Sequence, residues 1–182
     1  MPPVTKPELR KTIRERLVTL SFEARAEKSA AICRAVSQTP EWQQARTVGF
    51  FSPLPEEPDV NLLWTMPGER VVCYPRVDGE HLLFLRVPNR ETLVESGRWN
   101  LLEPLHSDEF LVLPLEIDLF LIPGVAFTTD GHRMGRGKGF YDRLLSRTGL
   151  RAALFGICFA EQLVSGLPRE PHDRPVDRVF AA

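Results

Sequence analysis

Residues 131–143 (GHRMGRGKGFYDR) pack four glycines, four lysines or arginines and one carboxylate into thirteen positions, a local net charge of +3 with His132 neutral. Gly135, Gly137 and Gly139 alternate with Arg136 and Lys138. Glycine lets a backbone approach a ligand and turn successive N–H groups toward one point, and the cations between supply charge-assisted bonds to phosphate or carboxylate. FYDRLLSR follows with an amphipathic pattern, so the N-terminus of a helix adds partial positive charge at the same place. These residue types cradle a polyanion, with Asp142 as the one acid at the exit of the loop.

Two familiar phosphate loops are excluded. A Walker A loop requires Gly, four residues, then Gly-Lys and Ser or Thr. Here Gly139 follows Gly137–Lys138, and His132 stands where the first glycine belongs. The dinucleotide fingerprint needs glycine at the position held by Phe140. A Gly/Arg-rich segment can also be no more than a solvated turn. Two features speak against that. The loop follows a strongly apolar stretch, and ligands of open α/β sheets sit past the carboxyl ends of their strands. The aromatic pair Phe140–Tyr141 would also be wasted on a free surface.

The elements that must position the loop are legible from periodicity. Thr5 and Glu8 have capping-box spacing, and Leu9, Ile13, Leu17 and Leu20 recur at helical intervals, which predicts a helix over 6–20. Ser21 caps a second helix to about Val36, with Ala24, Ala31, Ile32, Ala35 and Val36 as its packed stripe. A helical turn follows at 41–45. Strands are expected at 47–52, 70–74, 82–87, 118–122, 152–159 and 178–181, with a short helix at 60–66 and another at 141–147 ended by Gly149. Residues 88–116 read as loop. Apolar strands separated by helices indicate an α/β sheet covered on both faces, in one domain over 1–182.

Bulk properties narrow the function classes. The chain has 182 residues, a net charge of −1 and 43% hydrophobic residues, as expected of a soluble globular protein. That flat charge argues against nucleic acid or an anionic membrane as partner. The start, MPPVTKPELRK, has no apolar core, and the longest apolar stretch, 119–127, is far short of the roughly 20 residues a span needs. Cys33, Cys73 and Cys158 form no CxxC pair and read as buried thiols of a cytoplasmic protein. His81, His106, His132 and His172 have no metal-ligand spacing.

RMGRGKGFYDRLL resembles the signature of the 5-formyltetrahydrofolate cyclo-ligase (5,10-methenyltetrahydrofolate synthetase) family, roughly RLGRGxGYYDRxL. Further segments resemble the family in the same order: KPELRK, FFSPLPEEPDV, YPRV, RWNLLEP and PHDRPVDRV. The resemblance implies a three-layer α/β/α fold with a mostly parallel sheet, related to the glucosamine-phosphate isomerase and CoA-transferase-like folds. It also implies an ATP- and Mg²⁺-dependent cyclisation of 5-formyltetrahydrofolate to 5,10-methenyltetrahydrofolate, with the formyl oxygen phosphorylated on the way.

The same resemblance implies the site residues. Lys6 and Arg10, one helical turn apart, reach the ATP phosphates. Arg133, Met134, Gly135, Arg136, Gly137, Lys138, Gly139, Phe140 and Tyr141 wrap the phosphates and the formyl group, with Arg136 and Lys138 stabilising the transferring phosphoryl group. Asp142 and Asp173 match Mg²⁺ positions. Glu57 contacts folate, with Glu56 its rival in the same loop. Trp99 lines the folate site, and Arg76, with Arg136 and Phe140, faces it. Phe140 departs from the family's usual tyrosine, which removes any hydroxyl contact there. The expected state is a monomer. Two other readings stay open: a paralogue with the same ATP loop and another substrate, and an RNA-binding module built on the glycine–arginine loop and Trp99.

Overall fold

The computed structural model describes residues 5–66, 68–96, 101–168 and 174–182. The first helix, α1 (Lys6–Val18), opens with the expected capping box: the Glu8 carboxylate accepts from the Thr5 N–H at 2.9 Å, and Thr5 Oγ1 accepts from the Glu8 N–H at 3.4 Å. Leu9, Ile13 and Leu17 form its buried stripe. Ser21 caps α2 (Phe22–Ser37), and Thr39 caps α3 (Pro40–Gln44). The buried face of α2 is Ser29, Ile32, Cys33 and Val36, with Ala24 and Ala31 half-buried beside it and Ala35 exposed. Alanine is small enough to lie on either face, so the larger side chains decide the rotation of the helix.

The strands are β1 (Thr47–Gly49), β2 (Val71–Asp78), β3 (His81–Arg86), β4 (Leu93–Ser96), β5 (Leu101–Pro104), β6 (Leu111–Val112), β7 (Leu119–Pro123), β8 (Ala126–Phe127), β9 (Arg133–Met134), β10 (Ala153–Cys158) and β11 (Arg178–Ala181), with α4 (Phe140–Leu145) between β9 and β10. A seven-stranded sheet runs in the order β11-β10-β7-β1-β2-β3-β6. Its pairs from β11 across to β2 are parallel, and β3 and β6 add an antiparallel edge. The fold is therefore α/β with a mostly parallel sheet. The pairing of β1 with β7 is clasped by one side chain, for Asp118 Oδ2 accepts from the N–H groups of Arg46 and Thr47 at 2.8 and 2.9 Å.

Strand alternation sorts side chains to the two faces. Val48, Val72, Tyr74, Leu119, Leu121, Phe155 and Ile157 pack with the buried faces of α1, α2 and α3. Cys73, Phe84, Phe120, Ile122, Leu154 and Cys158 pack on the other side with Leu144 and Leu145 of α4 and with Leu150 and Val176. One layer is thus three helices, while the other is a single short helix and loops. The sparse layer is where the glycine loop enters. All three cysteines are free and buried, and burial pushes each thiol up to about 12, so none is a thiolate at neutral pH.

Two further expectations change. The strand expected over 47–52 ends at Gly49, although the Phe50 N–H still donates to the Cys73 carbonyl at 2.8 Å and both Phe50 and Phe51 stay buried. Residues 88–116 are not simply loop, because they contain the β4/β5 hairpin and the edge strand β6. These strands are too short to show alternation, and tertiary contacts hold them: Ser52 Oγ donates to the Leu102 carbonyl, and Arg76 Nη1 donates to the Pro104 carbonyl at 2.9 Å. Among the described residues no helix is long and apolar enough to cross a membrane.

Phe120 is fully buried with its ring 5.1 Å from that of Phe84 at 73°. Phe120→Ala should lower the unfolding free energy by about 3–5 kcal/mol, by lost transfer energy and the cavity left behind. Leu115→Ala, at a 57% exposed position, should stay within about 0.5 kcal/mol of the parent. Urea denaturation of the two variants checks the pair, and equal shifts would mean that the sheet face is packed otherwise.

Candidate active site

The sheet changes direction between β1 and β7. From β1 the chain moves outward to β2 on one side, and from β7 it moves outward to β10 and β11 on the other. The loops leaving the carboxyl ends of these two neighbours diverge and open a crevice, the usual ligand site of open α/β sheets. The loop after β1 carries Glu56 and Glu57. The segment after β7 turns through the β8/β9 hairpin into the glycine loop and α4.

Each part of the glycine loop is tied down. Gln162, only 1% exposed, donates from Nε2 to the Gly124 and Val125 carbonyls at 2.8 and 3.1 Å and fixes the turn after β7. Gly137 and Gly139 adopt φ of 97° and 68°, left-handed values at which a side chain is strained. Gly139 is the N-cap of α4. Arg10 of α1 grips the loop from the helical layer, with Nε and Nη2 donating to the Gly135 carbonyl at 3.2 and 3.1 Å. Arg143 grips it from the other side, donating to the Lys138 carbonyl at 2.9 Å and to the Glu80 carbonyl at 2.7 Å, with its guanidinium 5.4 Å from the Phe140 ring centre. A phenyl ring suffices for that last contact, which accommodates Phe140 where a tyrosine was expected.

Arg136 reaches across the crevice to the β1 loop. Its Nη2 lies 3.0 Å from Glu56 Oε1 and 3.0 Å from Glu57 Oε1. The two acids differ in setting, with side-chain exposures of 40% for Glu56 and 8% for Glu57. Burial pushes the Glu57 carboxyl up from the ordinary carboxylate value. The Arg136 charge and the Leu54 N–H oppose this without cancelling it. Of the two rivals, Glu57 is thus the buried, perturbed acid and Glu56 its partly solvated neighbour. Burial also pushes the Tyr141 phenol up, with Glu57 adding to the effect. Asp142 Oδ1 accepts from Arg133 Nη2 at 2.6 Å.

The sequence-predicted residues thus divide. Arg10, Arg136, Glu57 and the loop from Gly135 to Asp142 converge on one crevice. Lys6 lies half-buried one turn before Arg10 on α1. Lys138 is exposed on the loop. Met134 turns its side chain into the core and gives its carbonyl to the Val125 N–H at 2.7 Å. Arg76 is engaged with the β4/β5 hairpin, at Pro104 and 4.0 Å from Glu103 Oε2. Trp99 and Asp173 lie outside the described residues.

The sequence model of the 5-formyltetrahydrofolate cyclo-ligase family matches residues 3–182. The chain belongs to that family. It is similar to the 5-formyltetrahydrofolate cyclo-ligase of Escherichia coli K12, 34% identical over 176 residues that span 92% of this chain and 94% of the other. It is also similar to the mouse 5-formyltetrahydrofolate cyclo-ligase, 28% identical over 94% of this chain and 91% of the other. The solved structure of the Aquifex aeolicus 5,10-methenyltetrahydrofolate synthetase superimposes with a TM-score of 0.84 at 31% identity, covering 98% of this chain and 90% of that one. Membership makes the chain an enzyme of the cyclo-ligase kind.

Sequence reasoning missed Gln162, a lone amide in an apolar stretch that carries no pattern, and it gave Arg143 no structural part.

The Arg136–Glu57 pair generates a test with a definite sign. Arg136→Met removes the cation that opposes burial, so the Glu57 titration midpoint should move further up, read by carbon-13 NMR of the side-chain carboxyl. Because the folded value lies above the unfolded one, the folded state holds the extra proton. Stability is therefore lost as pH rises from the ordinary carboxylate value through the raised one. Arg136→Met should enlarge that loss and Glu57→Gln should abolish it. A midpoint that stays put or falls in Arg136→Met would disprove the pairing.

Proposed function

We propose that the enzyme converts 5-formyltetrahydrofolate to 5,10-methenyltetrahydrofolate with ATP, releasing ADP and phosphate. The observation that carries this reading is the meeting of three segments at the β1/β7 crevice: the family's glycine loop, the acid of the β1 loop and the basic start of α1. The reaction needs an oxygen made into a leaving group. A formamide oxygen is a poor one at neutral pH. Its attack on the γ-phosphorus of ATP expels ADP and leaves an iminium-like phosphate. The folate nitrogen at position 10 then adds to the formyl carbon and loses its proton, and inorganic phosphate departs as the new C–N bond closes the ring.

Such a transfer calls for positioning and neutralisation of charge more than for a protein nucleophile. Arg136 and Lys138 serve as the cations on the transferring group, with the loop N–H groups beside them. Arg10 and Lys6 hold the nucleotide side. Arg10 also fixes the loop by donating from Nε and Nη2 to the Gly135 carbonyl. Glu57 accepts from N–H donors of the pterin, a task suited to a buried carboxylate that already takes one backbone N–H. Trp99 and Arg76 complete the folate side.

Mg²⁺ fits this donor set. Asp142 is 35% exposed and gives Arg133 only Oδ1, which leaves Oδ2 for another partner. No cluster of three or more His, Cys, Asp or Glu that could hold a metal occurs among the described residues. Mg²⁺ commonly takes one or two carboxylates together with phosphate oxygens and water. Asp142 and Asp173 would hold it, and it would supply neutralisation of the phosphate charge. The reading is of one domain over 1–182 acting as a monomer in the cytoplasm, with no nucleic acid or membrane as partner.

Mixing the purified protein with 5-formyltetrahydrofolate, ATP and Mg²⁺ should produce the near-visible absorbance of methenyltetrahydrofolate. Folded protein that yields no product ends the proposal, and product from another formylated folate alone would point to the paralogue. Lys138→Ala should cut turnover by about 10²-fold, the usual loss when one preorganised charge-stabilising group is removed. Its unfolding free energy should stay within about 0.5 kcal/mol of the parent, as for an exposed side chain. Unchanged turnover would remove Lys138 from the chemistry.

A further inference from the structure

Arg133 belongs to the glycine motif but does not sit like its neighbours. Its side chain is only 4% exposed, whereas that of Arg136 is 36% exposed. It donates from Nη2 to Asp142 Oδ1 at 2.6 Å and holds its guanidinium 5.8 Å from the Tyr141 ring centre. We propose that Arg133 is a positioning residue for Asp142 and not a ligand of the phosphates. The inference rests on the cyclo-ligase reading for what Asp142 does, but the contact itself does not.

Arg133 is on β9, whose register is fixed by the pairs Ala126↔Met134 and Phe127↔Arg133. The Val125 N–H donates to the Met134 carbonyl at 2.7 Å, and the Thr128 N–H donates to the His132 carbonyl at 2.8 Å. Asp142 stands on a six-residue helix that begins at a left-handed glycine. A donor on a fixed hairpin thus orients a carboxylate in the first turn of the short helix that follows. With Oδ1 taken, Oδ2 is the oxygen left on the side of the loop, 4.0 Å from where a Cβ on Gly139 would stand.

Stability does not explain the arrangement. A buried ion pair adds little over apolar residues of the same volume, because desolvation offsets the attraction. Arg133 is also poorly used as a stabiliser, since its buried Nε has no hydrogen-bond partner. Orientation of the carboxylate is what the geometry does supply. Outer-shell partners of this kind tune a metal site without touching the metal.

The full-length protein and its Arg133→Met and Arg133→Lys variants test this. Two binding constants are read: that of a non-hydrolysable ATP analogue without metal, by calorimetry, and that of Mn²⁺ in the presence of the analogue, by electron paramagnetic resonance. Arg133→Met should keep the metal-free analogue within twofold of the parent and weaken Mn²⁺ about 10–100-fold, as for other outer-shell losses. Arg133→Lys should fall between. In the Asp142→Asn background, Arg133→Met should change Mn²⁺ binding no further. A tenfold loss of metal-free analogue binding would make Arg133 a phosphate ligand. Parent-like or tighter Mn²⁺ binding in a folded variant would leave it a structural residue. A parent protein that binds neither analogue nor Mn²⁺ overturns this inference together with the ATP reading. Binding without cyclisation removes only the substrate and leaves the assignment of Arg133 standing.

Discussion

Everything at this site depends on β1 and β7 lying side by side and running the same way. Asp118, at the head of β7, enforces that neighbourhood by taking the N–H groups of Arg46 and Thr47 on one carboxylate oxygen. Once the two strands are joined, their connections must part, because β2 and β10 occupy opposite flanks. The crevice is a consequence of strand order, and the long loops that leave the two strands meet across it. This is how Glu57 and Arg136, 79 positions apart, meet at 3.0 Å.

The second constraint is charge. A segment with a net charge of +3 in a chain of net −1 would repel itself if left to solvent alone. The structure answers by giving its arginines partners. Arg143 takes the Lys138 carbonyl, Arg133 takes Asp142, and Arg136 takes Glu56 and Glu57, while Arg10 of α1 holds the Gly135 carbonyl from outside the segment. A loop whose glycine content suggests freedom is therefore stapled from both layers of the fold. Its left-handed glycines are better understood as the conformations that let the staples close than as sources of mobility.

What was legible in the sequence follows from which forces are local. Capping is local, so Thr5, Ser21 and the end of α2 could be placed from a few residues. The strands at the centre were visible because both their faces are buried, which gives unbroken apolar runs. The β4/β5 hairpin was not, because it is held by Ser52 and Arg76 from distant segments. The α2 stripe was misread at Ala35 because alanine carries no preference strong enough to fix a helix rotation. At the site, the motif and the family resemblance located Glu57, Arg10 and Arg136, but no pattern in the chain says that Glu57 is buried while Glu56 is half in water. Gln162, which holds the turn on which the loop is hung, is one amide with nothing repeating around it.

Within the crevice Arg136 is neutralised by Glu56 and Glu57, and that has an energetic meaning for any ligand. A polyanion that draws Arg136 toward itself takes a cation from a carboxylate that burial has already disfavoured in its charged form. Losing its guanidinium partner costs a buried carboxylate more than an exposed one. Glu56, at 40% exposure, loses little by the exchange, whereas Glu57, at 8%, loses much. A second ligand that brings N–H donors to Glu57 removes that penalty and leaves the guanidinium free to follow the anion. The two loops that strand order forces together are thus also joined electrostatically, so the acid on one side and the cationic glycines on the other cannot be described as separate sites.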